Sequence, residues 1–175
     1  MALRGPNGSG KTTILRCIAG TLLRSGGEVT VGGHEAGTLE ARSLLGVALS
    51  QERSFDLRLS ARANLAFFAR LRGGGRAGDR AVDELVDELE LHEIAPQRIS
   101  ECSTGMVQQV AFARALLGEP SALLLDEPTR SLDEEARGRV WAALDRRRHL
   151  AVLLATHRDD DAALCTATVT LDRSG

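Results

Sequence analysis

Tyrosine is absent from this 175-residue chain, and aromatic residues make up only 3% of it. Trp141 and the pair Phe67-Phe68 therefore read as packing residues, not as a platform on which nucleic-acid bases stack. Lysine is scarcer still, because Lys11 is the only one and every other Lys/Arg cation is an arginine. Cys17, Cys102 and Cys165 are scattered without a CxxC pair, which argues against a zinc site or a disulfide framework and fits a reducing, cytosolic compartment. No apolar run approaches the roughly 20 residues of a membrane span. No cationic segment followed by an apolar stretch opens the chain either, so no export signal is expected. The reading is a soluble protein whose membrane association would come through a partner. A net charge of −2 gives no basic field for nucleic acid or an anionic membrane. What is present is ordinary for one globular domain, or one domain with a small inserted subdomain: 43% hydrophobic and 26% charged residues.

Along the chain, Met1 to Arg4 is the tail of a strand, because the turn Gly5-Pro6-Asn7-Gly8 follows at once. Ile14, Leu15 and Ile18 recur at helical spacing between Lys11 and Ala19, and Gly20 closes that helix. Gly27 to Gly33 alternates as a short strand, and Leu44 to Leu49 reads as a buried strand that ends at Ser50-Gln51. Helical signal then dominates: Asn64 to Leu71, Ala81 to Leu91, and about Thr104 to Leu117. The acidic run from Asp83 to Glu90 lies opposite Val82, Leu85, Val86 and Leu89 and reads as a solvated helix face. The remainder alternates: strand Ala122 to Leu125, helix Asp133 to Arg147, strand Ala151 to Ala155 and strand Thr166 to Leu171. Strands separated by helices imply an α/β fold with a parallel sheet. The helical block then becomes an insertion, with a core of residues 1–52 and 118–175 and a helical subdomain of about 53–117.

Gly5-Pro6-Asn7-Gly8-Ser9-Gly10-Lys11-Thr12 matches GxxxxGK[ST] in full, and Thr13 extends it. Glycines let consecutive backbone N–H groups turn toward an anion without a Cβ in the way. The following helix offers the positive end of its dipole to the same anion. Lys11 can reach the β- and γ-phosphates, and the Thr12 hydroxyl can ligate Mg²⁺. The motif follows a strand and opens a helix, which is the context a triphosphate-binding loop requires. It does not by itself choose among ATPase, GTPase and nucleotide kinase, although no NKxD guanine reader is present. Leu123-Leu124-Leu125-Asp126-Glu127-Pro128 adds a buried strand that delivers two adjacent carboxylates at its carboxyl end, where such sheets bind ligands. One acid can serve the Mg²⁺ shell, and the next can polarise an attacking water.

Glu101-Cys102-Ser103-Thr104-Gly105-Met106 leads into an arginine-ended helix, Val107 to Leu116. Here the chain resembles the nucleotide-binding domain of ABC transporters, whose signature LSGGQ has its S-x-G core at Ser103-Thr104-Gly105. Glu127 to Asp133 looks like the family's glutamate plus D-loop, Thr156-His157 like its switch histidine, and Ser50-Gln51-Glu52 like its Q-loop. The resemblance runs from the first residues to about Leu171, in the family's order. Cys102, Thr104 and Met106 depart from the usual leucine, glycine and glutamine; S-x-G-M variants resemble exporter-like branches. Cys102 borders the phosphate-facing loop, so an unusually reactive thiol stays open there. His34, His92 and His149 read as surface residues, and Cys17 as core.

The resemblance implies a P-loop NTPase sheet flanked by helices, with an inserted helical subdomain. It implies an enzyme that hydrolyses ATP with Mg²⁺ to power a membrane transporter. Two copies would close head to tail around two ATP molecules. Ser103 and Gly105 of one copy would touch the γ-phosphate held by Lys11 of the other, and Asp133 would act across the interface. Glu127 would be the catalytic base and His157 would contact the γ-phosphate and the water, while Asp126, Gln51 and Thr12 would hold Mg²⁺. The partners implied are a second ATP-binding domain and transmembrane permease subunits, with no nucleic acid. The location implied is cytoplasmic, peripheral on the inner face of the cell membrane. Family members carry antiparallel strands before the loop and an aromatic that stacks on adenine. Four residues precede Gly5 and tyrosine is absent, so those strands are expected to be largely missing and adenine to be weakly held. Two alternatives remain. A soluble ABC ATPase would want coiled-coil insertions, zinc cysteines or tandem cassettes, and a non-catalytic or fragmentary domain is favoured only by the short start.

Overall fold

The computed structural model describes residues 1–49 and 54–172. By contact density the chain divides into two compact units: Met1–Ser50, Ser121–Pro128 and Leu150–Gly175 form the first, Gln51–Pro120 and Thr129–His149 the second.

The first unit is built on a five-stranded sheet of β1 (Ala2–Arg4), β4 (Leu45–Ala48), β5 (Ala122–Asp126), β6 (Ala151–Ala155) and β7 (Thr168–Thr170), in the order β4-β5-β6-β1-β7. Every neighbouring pair is parallel, as the alternation of strands and helices predicts. The expected strand over Gly27 to Gly33 shortens to β2 (Thr30–Val31), which turns at Gly32-Gly33 and pairs antiparallel with β3 (His34–Glu35). α1 (Lys11–Ile18) lies on the sheet through Leu15 and Ala19, which pack with Leu3, Leu45, Leu124 and Ala155. Leu15 is fully buried, so Leu15→Ala would cost about 2–5 kcal/mol through lost transfer energy and the cavity left behind. Two short helices, α2 (Leu39–Ser43) and α7 (Asp159–Ala163), have no counterpart in the sequence pattern, because five residues are too few to show a helical period.

The second unit is helical: α3 (Ala61–Leu71), α4 (Gly75–Glu88), α5 (Thr104–Leu116) and α6 (Glu134–Asp145). α6 groups by contact with these helices, not with the sheet. Ser60 caps α3 by accepting from the Ala63 N–H at 3.1 Å. Buried Asn64 on α3 ties down the loop before it, accepting from the Asp56 N–H at 2.8 Å and donating to the Asp56 carbonyl at 3.0 Å. The acidic face of α4 is solvated as its pattern predicts at Asp83, Glu84, Asp87 and Glu90, while Glu88 is half-buried. Glu88 accepts from Arg147 Nη1 and Nη2, each at 2.6 Å, and from Arg146 Nε at 3.0 Å. Asp83 pairs with Arg62, and Glu90, just beyond the helix, with Arg139. The Arg147 fork, followed by Arg146, holds the Glu88 carboxyl below its ordinary value against the opposing pull of burial. Alternating i, i+3 and i+4 positions showed which face of α4 was polar, but not that arginines 58 and 59 residues further along would meet it.

Candidate functional site

Parallel strands bring their carboxyl ends to one edge, and the register makes this explicit: Leu3 and Asp126 both lie beside Ala155. The loops that leave β1, β5 and β6 therefore emerge together. They carry the phosphate loop, Glu127 and His157.

The phosphate loop turns on glycines in left-handed backbone, Gly8 at φ 85° and Gly10 at φ 93°. A Cβ added at either would meet no atom within 4 Å, so the requirement there is conformational and the inside of the turn is open. Gly10 is also the N-cap of α1 and offers no side chain, leaving the first turn without a side-chain cap. Lys11 is 8% exposed, and its Nζ donates to the Gly5 carbonyl at 2.7 Å and the Pro6 carbonyl at 3.1 Å. Its ammonium thus lies over the loop's own backbone. The Ser9 hydroxyl is buried with no hydrogen-bond partner, an orphaned polar atom inside the loop.

Side-chain alternation explains how Asp126 reaches this loop. Leu124 faces the α1 cluster, so Asp126, two residues on, points to the same face. Thr12 sits one turn before Leu15, on the same side of α1. The two meet: Thr12 Oγ1 donates to Asp126 Oδ2 at 2.7 Å, with the carboxylate only 3% exposed. Glu127, the next residue, adopts φ 52°, a left-handed conformation that costs a non-glycine residue of order 1 kcal/mol or more. Its N–H continues the ladder to the Ala155 carbonyl at 2.8 Å, and its side chain turns to His157. Glu127 Oε2 and His157 Nδ1 are 2.7 Å apart, the carboxylate nearly buried and the imidazole half exposed. An ionised carboxylate only accepts, so Nδ1–H is the donor.

Ser103, Gly105 and Asp133 lie in the helical unit. Ser103 is the N-cap of α5: its Oγ accepts from the Met106 N–H at 3.2 Å, and the Met106 sulfur accepts from the Ser103 N–H at 3.4 Å. This is a capping box with a thioether in the place usually taken by a glutamate or glutamine. Asp133 caps α6, accepting from the Ala136 N–H at 2.8 Å. Gln51 lies outside the described residues. Cys102 is not activated: burial, then Glu101, pushes its thiol up, and Sγ donates to the Arg98 carbonyl at 3.3 Å. His34, His92 and His149 are exposed, and Cys17 is half-buried, not core.

Three residues stand out beyond the assigned site. The hydroxyl of Thr156, fully buried, accepts from the Arg158 N–H at 3.1 Å and so shapes the turn that carries His157. Arg114 lies over the rings of Phe55 and Phe68 at 5.1 and 5.0 Å and donates to Ser54 Oγ. Gln108 reaches the loop before α6: its Oε1 accepts from the Ser131 N–H at 3.1 Å. The contacts of Arg114 and Gln108 depend on residues distant in sequence, which no local pattern signals.

The residues fit their implied ligands. An open glycine turn, an uncapped helix start and an ammonium suit a chain of phosphates. Among the described residues no cluster of three or more His, Cys, Asp or Glu could hold a metal. The Thr12–Asp126 oxygen pair nevertheless suits Mg²⁺, which takes one or two protein ligands and completes its shell with phosphates and water.

A family profile described as ABC transporter matches residues 1–130. The chain is 37% identical over 176 residues to the Nod factor export ATP-binding protein I of Rhizobium johnstonii, a match that covers 97% of the chain and 56% of that protein. It is 33% identical to the ABC transporter ATP-binding protein NatA of Bacillus subtilis, over 97% of the chain and 71% of that protein. A solved cassette, MJ0796, in a dimeric post-hydrolysis state bound to ADP and Pi, superposes with a TM-score of 0.85 at 26% identity, over 99% of the chain and 82% of that structure. The chain belongs to the ABC transporter family, as an ATP-binding domain with the parallel-sheet cassette fold. It spans about half the length of the Nod factor export proteins it matches. Among the described residues no helix is long and apolar enough to cross a membrane.

Proposed function

We propose that this domain binds ATP with Mg²⁺ and hydrolyses it to drive a membrane transporter, and that the transporter is an exporter. The observation that carries the reading is the pairing of Thr12 with Asp126 and of Glu127 with His157 at the edge where the phosphate loop leaves β1.

In this reading residues Gly5 to Thr13 grip the phosphates through backbone N–H groups, the start of α1 and the Lys11 ammonium. Lys11 exchanges the Gly5 and Pro6 carbonyls for phosphate oxygens, replacing neutral hydrogen bonds by charge-assisted ones. Thr12 and Asp126 would hold Mg²⁺, together with Gln51. The ion would neutralise charge on the β- and γ-phosphate oxygens. Glu127 Oε2 takes the proton of the attacking water, and His157, already on that carboxylate, orients it and contacts the γ-phosphate. Ser103 and Gly105 of a second copy complete the site head to tail. The Ser103 hydroxyl accepts from Met106 and still has a proton to donate to the phosphate. Asp133 acts across the same interface. The helical subdomain of about 53–117 passes the movement to permease subunits, which would hold the domain at the cytoplasmic face of the membrane. Export is supported by the names of the relatives, several of them Nod factor export ATP-binding proteins.

ATP turnover by the wild type and by Glu127→Gln tests the chemistry. The variant should still bind ATP and lose turnover; turnover that persists in it would remove Glu127 from its assigned role. Export is tested by pairing the domain with the membrane protein encoded beside it and following substrate out of cells. ATP-dependent uptake would reverse the assigned direction.

A further inference from the structure

The loop Thr129–Leu132 joins the Glu127 carboxylate to the Asp133 helix cap, and it is pinned to the first turns of α5 from both sides of one residue. The Ser131 N–H donates to Gln108 Oε1 at 3.1 Å. The Ser131 carbonyl lies over Gly105 so closely that a Cβ there would come within 2.5 Å of its oxygen. Positions 105 and 108 are three apart and share one face of α5. Gly105 therefore removes the bulk that would push the loop away, while Gln108 supplies the acceptor that draws it in. The loop's own turn, Leu132 N–H to the Thr129 carbonyl at 3.2 Å, and the buried Thr129 leave it little freedom beyond that contact.

From this geometry we infer that Gln108 is a positioning residue for hydrolysis: its side-chain carbonyl sets the loop 129–132 against the helix that begins at Ser103. The inference rests on the proposed function, because it needs Ser103, Gly105 and Asp133 to meet a phosphate site. Gln108 acts through the loop and not on the phosphate or the water. Its contribution is to make the serine cap of α5 and the aspartate cap of α6 move as one body, so that closure by a second copy presents both together. A loop free to drift would leave binding intact and spoil the closed geometry.

The test uses two substitutions of similar size. Gln108→Leu removes the acceptor, and Gln108→Glu keeps an acceptor oxygen. In Gln108→Leu, kcat for ATP should fall about tenfold, the equivalent of one well-placed hydrogen bond. KM and Tm should stay near wild type, and hydrogen exchange in the peptide covering 129–132 should speed up. Gln108→Glu should restore both turnover and protection. The inference is overturned if the Leu variant turns over at the wild-type rate, if the two variants are equally impaired, or if kcat and Tm fall together in both. A wild type that binds ATP without hydrolysing it would bring down the proposed function, and this inference with it. Turnover in wild type that is untouched in Gln108→Leu brings down this inference alone.

Discussion

Two helix starts in this chain are finished in opposite ways. α1 begins at Gly10, which has no side chain to offer and leaves the first-turn N–H groups without a side-chain cap. α5 begins at Ser103, whose hydroxyl takes the Met106 N–H while the Met106 sulfur takes the serine's own. Both ends carry the positive pole of a helix dipole. Only the first is left unfilled, beside a buried ammonium and an orphaned serine hydroxyl. An uncapped helix is unstable by about 1 kcal/mol relative to a capped one, so an anion bound at its start would complete α1. α5 has its side-chain cap made within the chain, and the Ser103 hydroxyl still has a proton to offer. The contrast fits a domain that holds nucleotide through α1 and is read by a second copy through α5.

That contrast can be broken at several points, and the largest effect is expected on the α1 side. Glu127→Gln should lower ATP turnover by at least about a hundredfold, within the range for loss of a general base, while nucleotide binding by fluorescence titration stays close to wild type. Next comes the α5 side: Gly105→Ala puts a Cβ against the Ser131 carbonyl, an overpacking that should cost about 1–3 kcal/mol in urea unfolding. Gly8→Ala meets no atom within 4 Å, so it should cost only the left-handed strain of about 1–2 kcal/mol. A larger loss at Gly8 than at Gly105 would reverse the assignment of one glycine to conformation and the other to close approach. Asp133→Ala should cost about 1 kcal/mol through loss of the α6 cap.

Two smaller effects sharpen the picture. The Glu88 carboxyl lies below its ordinary value in the folded chain, so the stability it contributes is present above the unfolded glutamate value of about 4.3. That contribution is lost as pH falls through the lower folded value. Wild type should therefore lose its advantage over Glu88→Gln in acid unfolding below that pH, and a gap that persists there would put the effect on packing. Met106→Gln should shift stability by less than about 0.5 kcal/mol, because an amide can make the same capping contact as the sulfur.

Legibility followed the range of the interaction. The loop Gly5 to Thr12, the strand ending in Asp126-Glu127 and the histidine after β6 are contiguous or punctuated by turns, and each could be read as a motif. The helix at Thr104 to Leu116 was visible because its cap and its apolar run are local. The parallel sheet followed from the alternation of strands and helices alone. The pairing Thr12–Asp126 was implied only as a shared metal site. Its hydrogen bond required β5 to lie beside α1 in one register, and 114 residues separate the two. The contacts of Gln108 with Ser131, and of Arg114 with the Phe55–Phe68 pair, left no trace in local pattern, because glutamine and arginine on a helix satisfy its period whichever way they point. On α4 the solvated acidic face was legible, but the pairing of Glu88 with Arg146 and Arg147, just past α6, was not.

The order of elements, the phosphate loop and the pair of acids came from the sequence by itself, since glycine backbone freedom, helix period and strand alternation are properties of neighbouring residues. Only the tertiary structure decided that Lys11 rests on its own loop and that Glu127 sits strained against His157. It also decided that Gly105 is a glycine because another loop passes over it. Those outcomes depend on which distant backbones come within a few ångströms, a matter of packing that no stretch of chain carries alone.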